Sequence, residues 1–287
     1  MECELWPRLY ALVREVAKAR RCRRVRFSDM VIILVLLWAA IHDRPICWAC
    51  QPRHWKTTRL RPVNLPSDST MSRRLESPAV KDFMQAVEQR LLELEEIPFI
   101  KFLDGKPLPV GGCTKDPDAK PGRAARGMGR GYKLHAIWSN RPFPEAYEIR
   151  PLNENESRVA HQLVPRLAGT GYLLADNQYD SNPLHDLAAL HRHQLVAPPR
   201  KKRKGLGHHK HSPHRLHALE MLQRPFGRAL LRQRTEIERL FGNATSFGGG
   251  LSPLPAWVRR THRVKRWTWA KLVINAVRIE EHKRLAA

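Results

Sequence analysis

Apolar positions in the first third of the chain recur at helical spacing. Leu5, Leu9, Leu12, Val13 and Val16 share one face of residues 5–19, which predicts an amphipathic helix. A basic hinge, 20–24, follows, and Ser28-Asp29 offers an N-cap to the apolar run 30–41. That run is shorter than the ~20 residues a bilayer span needs, so it predicts a buried helix and no membrane partner. Pro45, Pro52, Pro62 and Pro66 interrupt the next stretch. Ser67 or Ser69 can then cap a short helix bearing Ser72, Arg73 and Arg74. Such a helix suits the second element of a helix-turn-helix, which enters the DNA major groove. Residues 78–96 return to helical period through Val80, Phe83, Met84, Val87, Leu91 and Leu94.

From residue 97 the period changes. The run 97–105 ends in Asp104-Gly105, a strand followed by a turn, and 132–138 and 145–151 predict two further strands. A helix over 156–167, a strand over 171–176 ending in Asp176, a helix over 181–193 and a short strand over 195–198 complete a β-β-β-α-β-α-β order. Residues 111–131 read as a loop rich in Gly, Arg and Asp, and 200–217 as a basic linker. Helices are expected over 227–242 and in the tail 251–287. The expected class is α/β: a mixed sheet flanked by helices, preceded by a mainly helical region. The expected boundary divides 1–95 from 96–287.

Charge sharpens this picture. The 287 residues include 51 Lys+Arg and 27 Asp+Glu, a formal charge of +24. The excess is +5 over 1–100, +3 over 101–198 and +16 over 199–287. Solubility needs only about 2–8 net charges on a small domain. The surplus points to a polyanionic partner, and double-stranded DNA fits because Lys and Arg contacts to phosphate release counterions. Glu2 and Glu4 occupy the place of a signal peptide's positive region, and five cysteines form no dense framework. Both features predict a cytoplasmic, nucleoid-associated protein.

The candidate chemistry lies in three carboxylates. Asp104 and Asp176 end predicted strands, and ligands of open α/β sheets gather beyond strand carboxyl ends. Glu238 sits in the basic helix with Ile237, Leu240 and Phe241 to anchor it. Three converging carboxylates repel unless a cation lies among them. Oxygen donors select Mg2+ or Mn2+, and two such ions can clamp both oxygens of an in-line phosphoryl transfer. Arg234, four residues before Glu238, and Arg239 would keep DNA phosphate near an otherwise acidic site.

Four segments carry a resemblance. Phe102-Leu103-Asp104-Gly105, Gly131-Tyr132-Lys133-Leu134-His135, the stretch 174–181 (LADNQYDS) and 234–242 (RTEIERLFG) resemble, in order, the catalytic segments of bacterial insertion-sequence DDE transposases. The 247–251 stretch and the basic aromatic tail are also similar to that family. The resemblance covers about residues 95–280. It implies an RNase H-like core, Asp104, Asp176 and Glu238 as the catalytic triad, metal-dependent cleavage at element ends, strand transfer into target DNA, and at least a homodimer to pair two ends. One branch of the family carries Tyr-x2-Arg-x3-Glu-x6-Lys around the glutamate. Here those positions hold Leu231, Arg234, Glu238 and Thr245, so the phosphate contacts of the missing Tyr and Lys come from elsewhere or are absent, with Lys133, Arg239 and Lys271 as candidates. The rival expectations are a copy that binds DNA without chemistry and a nuclease of the same fold.

Three other constellations have simpler explanations. Cys47 and Cys50, flanked by His42 and His54, could bind zinc or pack internally. The histidines at 208, 209, 211, 214 and 217 lie in a run of Lys and Arg that suits an exposed loop. Trp residues in 257–269 could stack on unpaired bases, but fit the core of a C-terminal helix better.

Overall fold

The computed structural model describes residues 2–20, 25–111, 115–124, 127–200, 210–246, 250–251 and 253–286. The basic hinge at 21–24, the Lys/Arg/His run at 201–209 and the glycines at 248 and 249 lie outside the described residues. The chain divides into two compact units. One comprises Met1–Leu94, Ser246–Leu251 and Arg266–Ala287, and the other Glu95–Thr245 and Ser252–Lys265.

The first unit is helical. Helix α1 (Glu2–Lys18) buries Leu5, Leu9, Val13 and Val16, the stripe its period marks out. Helix α2 (Asp29–Ile41) starts where Ser28 accepts a hydrogen bond from the Val31 N–H, and buries Ile32 through Ala40 on all sides. An all-apolar helix must be wrapped by others. Around it lie α3 (Ile46–Ala49), α4 (Asp68–Glu76) and α5 (Pro78–Leu92). Trp38 stacks on Trp55 at 4.6 Å, and Trp6 meets both edge-on. Each indole N–H donates to a backbone carbonyl, of His54, Ala49 and Leu60 respectively for Trp38, Trp55 and Trp6. This cluster also explains the Cys/His stretch. His54 stacks on Trp48 and His42 packs against Trp38, while burial pushes the Cys50 thiol up to about 12. The imidazoles serve packing, and Cys50 stays a thiol.

The second unit is built on a six-stranded sheet. Its strands are β1 (Ile100–Pro109), β2 (Lys120–Ala124), β3 (Gly127–Trp138), β4 (Ala146–Pro151), β5 (Gly171–Ala175) and β6 (His193–Val196). Leaving aside the hairpin strand β2, the order is β4-β3-β1-β5-β6. β3 is antiparallel to β1 and β4; β5 and β6 run parallel to β1 and to each other. This is the mixed sheet that the element order implied, in the RNase H-like form that the resemblance implied. Helices α6 (Glu156–Leu163) and α7 (Asn182–Leu190) belong to this unit. Val159, Ala160, Leu163, Leu184 and Ala188 pack there with Leu103, Leu173 and Leu195. Gly171, at φ 140°, lets β5 start against β1; a Cβ there would lie 1.9 Å from the Phe99 carbonyl oxygen. Then come α8 (Pro213–Gln223), α9 (Pro225–Arg232) and α10 (Glu236–Thr245). The last helix, α11, spans Thr261–Ala286.

Four details depart from the sequence reading. The expected loop 111–131 contains β2 and the start of β3, a stretch with no apolar alternation to announce it. Asp104-Gly105 forms no turn, because β1 runs on to Pro109, paired with β3 throughout. β5 stops opposite Leu103, which leaves the rest of β1 as an edge able to carry Pro107 and Pro109. The helix expected over 227–242 is broken by a tight turn at Gln233–Thr235. Finally, residues 266–286 group with the N-terminal helices rather than with the second region, since α11 turns Trp267, Trp269, Leu272, Val273 and Ile274 into buried positions.

Candidate active site

Strand register brings the first two acids together. Leu103 on β1 pairs with Ala175, the last residue of β5, so Asp104 on β1 and Asp176 just past the end of β5 follow that pair, across neighbouring parallel strands spaced about 5 Å apart. Each is fixed locally. An Asp104 carboxylate oxygen accepts from the Gly105 N–H at 2.7 Å. Asp176 caps the short turn Asn177–Tyr179 by accepting from the Gln178 N–H at 2.8 Å.

Glu238 arrives from elsewhere. Ile237, Leu240, Phe241 and Ala244 form the buried face of α10. Phe241 meets Trp138 of β3 edge-on, which seats the helix on the sheet. Arg234 lies between the acids: its guanidinium is 4.0 Å from Asp104 and 3.7 Å from Glu238. The Glu238 side chain is 66% exposed. Among the described residues, no group of three His, Cys, Asp or Glu side chains is close enough to enclose an ion. Sequence reasoning placed all three acids around one pocket. The structure sets two side by side and holds the third on the far side of an arginine.

Electrostatics single out the aspartates. Burial drives the Asp104 carboxyl up to about 6, opposed by the Gly105 hydrogen bond and reinforced by the charges of Asp176 and Glu156. Burial likewise raises Asp176. Two adjacent carboxylates with too little countercharge suit a hard divalent cation. They also carry a cost in its absence. A carboxyl raised on folding is destabilising once ionised: the contribution of Asp104 to stability is most favourable below about pH 4 and falls as pH climbs to about 6. We therefore expect Asp104→Asn, which keeps an oxygen for the Gly105 N–H, to stabilise the metal-free protein by about 2 kcal/mol above pH 6. The gain should vanish near pH 4. Thermal melts across that range check both parts.

The cation candidates occupy varied positions. Arg73 is exposed on α4, whereas Arg74 pairs with Asp29 at 2.5 Å and donates to the Phe27 carbonyl. Arg239 pairs with Glu236 at 2.7 Å on the surface. Lys133 is nearly buried and bonds Glu156 at 2.5 Å. Lys271 is wholly buried in the helical unit. Its ammonium donates to the Ala40 carbonyl and Asp43 and lies 4.6 Å above the Trp267 ring. That is a correction: a lysine spent on internal acceptors has no reach to phosphate. Ser67, not Ser69, caps α4.

Glu156 is the residue that sequence reasoning passed over. Its place after Asn155, which accepts from the Arg158 N–H, reads as an ordinary acid in the first turn of a helix. Only its proximity to β1 marks it out. Tyr179, fully buried, is held well above the usual phenol range by burial and then by Glu156, Asp104 and Asp176.

Comparison with known proteins identifies one family. A family model described as Transposase DDE domain matches residues 100–272, more than half the chain. No curated protein and no solved structure gives a match. With the family model covering residues 100–272 and a sheet of the expected order, the chain belongs to the DDE transposase family.

Proposed function

We propose that this transposase cleaves DNA at the ends of its element and joins the freed ends to target DNA, with Asp104, Asp176 and Glu238 as its acids. Enzymes of the family generally use divalent metal ions. The adjacent aspartates suit such an ion, and Mg2+, or Mn2+ in its place, is the hard cation that a carboxylate pair selects. Bound there, two ions would activate water and neutralise charge developing on the phosphodiester. In the first step water attacks the phosphorus at the element end and the 3'-oxygen leaves, taking a proton. In the second, that 3'-hydroxyl attacks a target phosphodiester and expels the target's own 3'-oxygen.

The observation that carries the reading is the placement of Asp104 and Asp176 where the β1–β5 pairing ends. Arg234 fits as the group that balances Asp104 and Glu238 in the free protein and turns toward phosphate when DNA arrives, leaving Glu238 to join the other two. The exposed Glu238 also favours a second reading, a copy that occupies DNA without cutting it. Incubation with Mg2+ and DNA carrying the inverted repeats that flank the coding region separates them. Nicking followed by joined product supports the transposase. Nicking without joining indicates a nuclease, and binding alone indicates an inactive copy.

The helical region 1–95 would bind the element ends, through a pair of chains when two ends are brought together, in the cytoplasm at the nucleoid. Among the described residues no helix is long and apolar enough to cross a membrane. Arg73, exposed on the Ser67-capped helix, is the expected phosphate or base contact there. Arg73→Ala is expected to weaken end binding several-fold and to lower the salt slope by about one. Arg74→Ala, which breaks the Asp29 pair, should lower the melting temperature instead. Binding titrations at three salt concentrations, with melts alongside, test the division.

A further inference from the structure

One pair of charges beside the aspartates has no place in the reaction just described. Gly105 follows Asp104 on β1, and it is the absence of a side chain there that shapes its surroundings. A Cβ at Gly105 would lie 2.8 Å from Lys133 Cδ and 3.5 Å from Glu156 Oε1. The aliphatic stem of Lys133, from the neighbouring strand β3, therefore crosses the bare backbone next to the first acid. Its ammonium ends on Glu156 at 2.5 Å. The lysine side chain is 9% exposed and the glutamate 21%. Helix α6 delivers Glu156 to this spot through its Asn155 cap and its buried Val159, Ala160 and Leu163. Tyr179, three residues after Asp176, has its ring fully buried.

A lysine here poses a problem for a cation site. Its ammonium is a mobile point charge on a flexible stem that crosses the backbone next to Asp104, and its charge acts on Asp176. Unrestrained, it would move onto them and exclude a divalent ion. Glu156 is placed to prevent that.

We infer that Glu156 is a positioning residue that holds the Lys133 ammonium away from Asp104 and Asp176, and so keeps the aspartate pair open to a divalent cation. The role depends on the proposed function only in taking those two aspartates as the ion's ligands. It assigns Lys133 to the interior electrostatics of the site rather than to DNA phosphate. Gly105 becomes the residue that makes room for the restraint.

The test is Mn2+ binding to the full-length, DNA-free protein, followed by the Mn2+ electron paramagnetic resonance signal. Glu156→Gln is expected to weaken Mn2+ binding about tenfold, because the released ammonium competes for the aspartates. Lys133→Met, which keeps the stem over Gly105 and removes the charge, should bind at least as tightly as the wild type. The double variant Lys133→Met/Glu156→Gln is the decisive sample. If Glu156 acts through the lysine, the double variant recovers the affinity that Glu156→Gln lost. Additive effects, with the double variant as weak as Glu156→Gln or weaker, would overturn the inference. So would unchanged Mn2+ affinity in Glu156→Gln. Melting temperatures of all three variants show whether folding is intact, and Glu156→Asp, which keeps the charge, should bind like the wild type. Asp104→Asn and Asp176→Asn separate the two levels of the argument. If they abolish Mn2+ binding while Glu156→Gln does nothing, only the positioning role fails. Full Mn2+ binding without the aspartates would bring down the ligand assignment, and this inference with it.

Discussion

Asp104→Asn and Asp176→Asn proteins are each expected to bind terminal-repeat DNA as tightly as the wild type and to cut it at least about a thousandfold more slowly. The size follows from what is removed. A carboxylate that orients an ion at the reacting phosphorus acts only as charge develops, so its loss appears in the rate of the chemical step. The isosteric amide keeps the local hydrogen bonds to the Gly105 and Gln178 N–H groups, so the backbone should not move. Glu238→Gln should show the same loss, although its side chain faces solvent and Arg234 in the free protein. Glu236→Gln, on the same helix but paired with Arg239, serves as the control and should cut normally. Gel assays of nicking, with binding measured in parallel, give both quantities. Normal cutting by any one of the three acid variants would remove that residue from the triad. Asp104→Asn also carries an opposite expectation for stability, so a single variant should be more stable and inactive.

The second large effect concerns Asp180, four residues beyond Asp176. Its side chain is completely buried, and Arg215 of α8 grips both carboxylate oxygens at 2.7 and 2.8 Å. The Arg200 N–H donates to it at 3.0 Å, and His185 Nε2 stands 3.5 Å away. These bonds hold the Asp180 carboxyl well below the usual carboxylate range, although burial alone would raise it. Asp180→Asn leaves the Arg215 guanidinium without its counterion. Breaking a buried pair this way costs about 3–5 kcal/mol. For a unit of this size that is a fall in melting temperature on the order of 10 °C. The pH dependence has a definite direction. A carboxyl lowered on folding stabilises fully above the unfolded value near 4, and that stability drains away as pH falls through the folded value. The wild type should therefore lose stability steadily below about pH 4, while Asp180→Asn, already weakened, should lose less over the same interval. Melts from pH 7 down to pH 3 test this, and equal acid sensitivity would remove Asp180 as its source.

Much of this protein follows from local pattern alone. The stripes of α1 and α5, the all-apolar α2 behind its serine cap, and the β-β-β-α-β-α-β order need only neighbours a few residues apart. Period and capping are properties of short segments, so they can be read along the chain. The acids were nameable for the same reason, since each lies in its own short, recognisable segment.

What the linear chain could not state was who stands beside whom. Asp104 looked like the end of a strand before a turn, yet it lies within a ten-residue strand, because β3 pairs on past it. β2 exists because β3 offers it an edge; Lys120–Ala124 has no alternation of its own. Arg234 reaches Asp104, Lys271 turns inward to Asp43, and Glu156 stands beside Gly105, all through contacts between residues distant in sequence. The sequence by itself determined most of the elements and the family, and it named the candidate acids. Tertiary structure alone decided the site's charge balance, because Coulomb forces and desolvation depend on distance through space, and the register of β1 against β3 and β5 sets those distances.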